Sequence, residues 1–193
     1  MKFKTREDWL QAAIAKFRPT MKSAGAPIPS KIEAIVSWPK NARKGTIGQC
    51  FGKGWSKAGV TYVSVSPVLG DEPTRVLDVL LHELIHASGI TGHGADFRKI
   101  ALAVGLTGKM TATVAGPELT KRLATMVKQL GAYPHPTMLD HEEGAKKKKP
   151  RGKAHIRCIS PVDETYSAWV PAKGFEMHGA PLCPISGRLM EVA

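Results

Sequence analysis

Residues 81–94 read Leu81-His82-Glu83-Leu84-Ile85-His86-Ala87-Ser88-Gly89-Ile90-Thr91-Gly92-His93-Gly94, and this stretch decides how the chain is organised. Its first half fits the pattern H-E-x-x-H. On a helix, residues four apart project from one face one turn apart, so His82 and His86 can reach a single ion. Glu83 lies beside the first of them and can approach a metal-bound water rather than the metal, as a general base. A catalytic zinc wants three protein ligands and an open position. His93 is placed to be the third ligand, after a reversal of the chain through Ser88–Gly92 glycines and threonine. Asp96 is an alternative third ligand. Asp78, four residues before His82 on the same helical face, is a candidate hydrogen-bond partner for a ligating histidine.

Working backward from this site, Asp71, Glu72 and Pro73 mark a helix start, and Val76, Leu77, Leu80, Leu81 and Leu84 face a core along 75–88. Segments 32–36, 46–51 and 61–66 read as strands, the last alternating Tyr62, Ser64 and Ser66 against Val63 and Val65. Before them Trp9, Leu10, Ala13, Ile14 and Phe17 recur at helical spacing from residue 5 or 8 to about 18, with Pro19 allowing one further turn. Working forward, helices are expected over 95–104, ending at Gly105, and over 117–130, ending at Gly131. The fold class is α+β.

The segments Leu81-His82-Glu83-Leu84-Ile85-His86-Ala87 and Gly92-His93-Gly94-Ala95-Asp96-Phe97-Arg98 resemble the SprT-like zinc metallopeptidases, whose signature is HExxH followed by HGxxF. The order of an N-terminal helix, a small antiparallel sheet, an edge strand and the HExxH helix extends the resemblance over roughly residues 5–131. The metzincin spacing would put the third histidine at Gly92, so it does not fit. The loop from His86 to His93 is shorter than in the Spartan branch and is similar to the compact bacterial or phage members.

The resemblance implies a zinc peptidase with His82, His86 and His93 as ligands and Glu83 as base, acting on a protein substrate. Spartan-like members degrade proteins crosslinked to DNA and are stimulated by DNA. A non-catalytic zinc protein that binds DNA or regulates through protein contacts is the alternative, and Glu83 discriminates, because a structural site has no need of it. Strand 61–66 is a candidate for pairing with an extended substrate.

The chain has 193 residues, 42% hydrophobic and 23% charged, within the range of a globular protein. Its 28 Lys and Arg against 16 acids give +12 and a pI near 9.8, which favours a polyanionic partner. Residues 1–57 alone carry 12 basic and 3 acidic side chains. There Lys40, Arg43, Lys44, Lys53 and Lys57 lie near Trp38 and Trp55, a pairing of cations and aromatics suited to single-stranded bases. A second basic run spans 146–157. Non-sequence-specific nucleic-acid contact is therefore expected through 1–57 and 146–157, with no membrane association. No apolar stretch approaches a bilayer span or a signal core. Three cysteines exclude a disulfide framework, so a reduced, cytoplasmic setting is expected, with nucleoid association as one form of it. Cys50 reads as an inert core thiol.

Residues 1–131 are thus expected to form the metallopeptidase domain and 132–153 a basic, proline-containing linker. Residues 154–193 read as a degenerate zinc ribbon in which Cys158 and Cys183 keep one cysteine per knuckle, and Pro161 and Ser186 stand where the others belong. Two thiolates cannot close a four-coordinate site. Either His155 and His178 complete a Cys2His2 set, or the unit is held without metal by Trp169, Val170, Phe175, Leu182 and Ile185. A second ion there is not expected.

Overall fold

The computed structural model describes residues 2–40, 45–139 and 154–193, which form two compact units, Met1–Asp140 and His141–Ala193. In the first, helix α1 (Arg6–Ser23) starts where the Thr5 hydroxyl accepts from Asp8 N, with Glu7 and Asp8 at the positive end of the dipole. It passes through Pro19 and gains the one further turn expected. Strands β1 (Ile32–Val36), β2 (Gly48–Phe51) and β3 (Thr61–Val65) follow. Then come helix α2 (Pro73–Ala87), helix α3 (Ala95–Val104), strands β4 (Leu106–Lys109) and β5 (Ala112–Ala115), and helix α4 (Pro117–Leu130). Prolines at the first positions of α2 and α4 and Gly105 at φ 95° after α3 set these boundaries where the sequence places them.

The sheet corrects one expectation. Its order is β1-β3-β2, with β1 and β3 parallel and β2 and β3 antiparallel, so it is mixed rather than antiparallel. The chain reverses once into β2 and once into β3, which leaves β3 running the same way as β1. As the most buried of the three strands, β3 takes the interior place. Both of its edges are therefore occupied, and it cannot accept a substrate strand. Among the described residues, the free edge beside α2 belongs to β2.

All five apolar positions named on α1 and all five on α2 are buried, in one core that includes Val63, Val65, Phe97 and Leu123. Burying a side chain of that size contributes about 1.5–3 kcal/mol. The sequence also misplaces a boundary. Residues 132–139, expected to be linker, pack on the first unit. Tyr133 is buried edge-to-face against Trp9 at 4.9 Å, and Trp9 Nε1 donates to Gly131 O. Buried Arg6 donates to Pro134 O (3.1 Å) and to Pro136 O. Farther on, Met138 N donates to Pro67 O. The carbonyls of this proline-rich segment are what satisfy the Arg6 guanidinium. The basic run over 146–153 lies outside the described residues.

The second unit is a three-stranded antiparallel sheet, β7 (Ser167–Pro171), β6 (His155–Ile159) and β8 (Glu191–Val192), with a short helix α5 (Ala172–His178). Its core is Cys158, Cys183 and Met190, flanked by Val170 and Phe175. Trp169, Leu182 and Ile185, expected inside, are exposed. The thiol of Cys183 donates to Ser160 Oγ at 3.2 Å, a contact between the two degenerate knuckles. Among the described residues His155 and His178 do not join the two cysteines in a ligating cluster. No helix among the described residues is long and apolar enough to cross a membrane.

Candidate metal centre

Helix α2 carries His82 and His86 on one face, and its end is sharp. Ser88 N and Gly89 N return to Leu84 O and His86 O, and Gly89 adopts φ 101°. Gly92, at φ 73°, then turns the chain so that His93 comes back over the helix before α3 begins. These left-handed conformations favour glycine.

The three imidazoles converge. Nε2 of His93 lies 3.2 Å from Nε2 of His82 and 3.2 Å from Nε2 of His86, and one ligand atom from each residue lies within 4.8 Å of the others. Two nitrogens bound at 2.0–2.1 Å to a tetrahedral ion stand about 3.3 Å apart, so the spacing fits a metal. The outward nitrogens agree with this. His86 Nδ1 donates to Ile90 O at 2.9 Å, and His82 Nδ1 lies 2.8 Å from Thr113 Oγ1. A neutral imidazole that donates through Nδ1 keeps its Nε2 lone pair for a ligand.

The neutral form is also the one that the surroundings favour. Burial, joined by the neighbouring histidines, lowers His82 to about 3. It also lowers His86 and His93. Under them the buried ring of Phe97 sits 4.8 Å, centroid to centroid, from each of the three imidazoles. The geometry therefore brings His82, His86 and His93 together as a group that could hold a metal ion. Asp96 is exposed on α3 and is not a member of the cluster.

Glu83 is buried beside the cluster on α2, and burial raises its carboxyl to about 8. Among the described residues nothing hydrogen-bonds that carboxylate. It faces β2: a Cβ on Gly48 would fall 2.5 Å from Glu83 Oε1 and 2.7 Å from Val79 Cγ1. The absent side chain at position 48 is what lets the strand lie against the carboxylate. Cys50, two residues along, is half-buried, and burial together with the Glu83 charge pushes its thiol up to about 12, which keeps it unreactive.

Asp78 acts otherwise than its spacing suggests. It pairs with Arg75 at 2.6 Å and accepts from Ala115 N at 3.2 Å, while Arg75 also donates to Thr113 O. Among the described residues it forms no hydrogen bond with a histidine. Instead the Arg75–Asp78 pair fastens β5 to α2, and β5 delivers the Thr113 hydroxyl to His82. Sequence reading misses Thr113, whose only local signal is a polar residue in a short alternating segment.

The fold and the site together define a mixed α and β protein with a half-buried three-histidine cluster, a buried carboxylate that has no hydrogen-bond partner among the described residues, and a sheet edge. No protein-family model, no curated protein and no solved structure matches the chain.

Proposed function

We propose that this chain is a zinc-dependent peptidase of the SprT-like kind, acting on DNA-associated or DNA-crosslinked proteins. The observation that carries the reading is the buried Glu83 carboxylate, which follows His82 in the sequence, faces Gly48 of β2 and has no hydrogen-bond partner among the described residues, together with the convergence of the three Nε2 atoms. Borderline-soft zinc suits three imidazoles, and His82, His86 and His93 would hold it. When bound, zinc supplies Lewis acidity toward a carbonyl oxygen and lowers the pKa of water.

The remaining work falls to this chain's side chains. The Ile90 carbonyl fixes the ring and the tautomer of His86, and the Thr113 hydroxyl holds the ring of His82. Glu83 takes a proton at its carboxylate and gives it to the leaving amine, a role worth typically about 10²–10⁴ in rate. β2 orients an extended peptide by strand addition along its free edge, in place of the interior β3.

Nucleic acid as a partner is supported by Trp55 at 76% and Trp38 at 44% exposure, beside the exposed Lys40, Lys53 and Lys57. Exposed aromatics next to cations are surfaces on which bases stack.

The test uses one preparation. Zinc is quantified, then cleavage of a DNA-bound protein is followed with and without single-stranded DNA, for wild type and Glu83→Gln. One zinc per chain in both, with cleavage at least 100-fold slower in Glu83→Gln, is the expected result. Zinc retention without cleavage in either protein would favour the non-catalytic reading, and absence of zinc would remove the site.

A further inference from the structure

The groove between α1 and α4 shares no residue with the histidine cluster. It is open to solvent, offers about 460 Å³ and is lined by Lys16 and Thr20 from α1 and by Lys121, Arg122, Thr125 and Gln129 from α4. A second hollow of about 400 Å³ adjoins it, sharing Thr20 and Arg122.

Two features separate it from an ordinary lysine-bearing surface. Neutral groups on the facing helix hold its cations: Lys16 Nζ donates to Gln129 Oε1 at 2.8 Å, and Arg122 Nη2 to Thr20 Oγ1 at 3.1 Å. Among the described residues, neither forms an ion pair. Only Lys121 does, with exposed Glu118. Each hydrogen bond uses one donor of an ammonium with three or a guanidinium with five. The second feature is the lining itself, which contains two hydroxyls and an amide but no carboxylate. A concave surface of one sign concentrates its potential in the hollow.

We propose that this groove is a phosphate-binding site, in which Arg122, Lys16 and Lys121 engage the oxygens of a phosphate monoester or diester. The flat guanidinium fork of Arg122 matches two phosphate oxygens at once, the ammonium groups supply point charges, and the Thr20 hydroxyl, which accepts from Arg122, donates to a remaining oxygen. That chemistry has two sources: a free phosphate, or the backbone of a single-stranded nucleic acid. The volume suits a small ligand, in the range of about 300–1,000 Å³. The adjoining hollow and the net charge of +12 suit a backbone that continues beyond one phosphate.

The full chain is titrated against a labelled 12-nucleotide single-stranded oligonucleotide by fluorescence anisotropy, with inorganic phosphate and pyrophosphate as competitors. The double variant Lys16→Glu/Arg122→Glu is compared with Lys173→Glu/Arg188→Glu, which has the same net charge. All four residues are exposed, and circular dichroism checks that both variants fold.

The groove variant is expected to bind at least tenfold more weakly than wild type. Its slope of log K against log salt should be shallower by about 1.4, at roughly 0.7 per lost contact on a single strand. The charge-matched variant should lose less than threefold. Competition by phosphate or pyrophosphate at millimolar concentration identifies the free-phosphate source, and its absence identifies the backbone. Equal losses in the two variants, or no binding of any probe by wild type, overturns the proposal. Neither variant alters the histidines or Glu83, so the outcome is independent of the peptidase reading.

Discussion

Thr113 holds the Nδ1 side of His82 from a strand 31 residues away in sequence. Replacing it with valine keeps the shape and removes the hydroxyl. Metal affinity is expected to fall about 10–100-fold, the usual effect of losing a hydrogen bond behind a ligating histidine. Competition against a chromogenic chelator measures this, and unchanged affinity would mean that Phe97 packing alone fixes the ring. The three histidines that could hold a metal ion are legible in the sequence, because a spacing of four on a helix and a glycine-bounded third histidine are local signals. Thr113 is not, since its position depends on the β4–β5 pairing and on the Arg75–Asp78 pair. Asp78 misleads for a different, local reason: the residue three before it on α2 is an arginine, which captures the carboxylate.

At the scale of elements, helices emerge from the sequence almost intact, because caps, prolines and glycines mark their ends within one turn. Strand order does not, since interior and edge positions are decided by partners distant in sequence. The β4–β5 hairpin is missed because its strands are only four residues each and include Gly108, Lys109 and Ala112, poor strand formers that mask the alternation of Thr107, Lys109, Thr111 and Thr113 with Leu106, Met110 and Val114. The segment after α4 illustrates the same limit, for its prolines read as linker while its carbonyls are bound to Arg6. Within it the Tyr133 hydroxyl is buried without a hydrogen-bond partner among the described residues. Burial raises its pKa from 10.0 to about 12, an effect that Arg6 partly offsets. A folded-state pKa above the unfolded one means that this contribution to stability is present below pH 10 and is lost as pH rises toward 12. Tyr133→Phe should therefore be at least as stable as wild type at pH 8, since it removes an unpaired buried hydroxyl. It should also lose less stability between pH 10 and 12. Parallel urea titrations at pH 8 and pH 11 test both statements, and identical pH dependence in the two proteins would refute the assignment.

For the molecule as a whole, the first unit ends near residue 140 rather than 131. A chain stopped at 140 should keep the melting temperature of the first unit. One stopped at 131 strands the buried Arg6 guanidinium without its two carbonyl acceptors and loses the Tyr133–Trp9 contact. The expected loss is on the order of 3–5 kcal/mol, readable as a lower urea midpoint. Equal midpoints would show that the proline segment contributes nothing.

The short edge of β2, free among the described residues, has a consequence for selectivity in the proposed peptidase. Four residues of strand present only a few main-chain hydrogen-bonding groups, and Gly48 at the end nearest Glu83 contributes no side chain to form a pocket. Such an edge reads conformation before it reads sequence. A chain already unravelled would fit it, whatever its residues, whereas a folded domain whose strands are all paired offers it nothing to hold. Susceptibility would then track how far a target has come apart, and damage to the target would serve as the recognition signal.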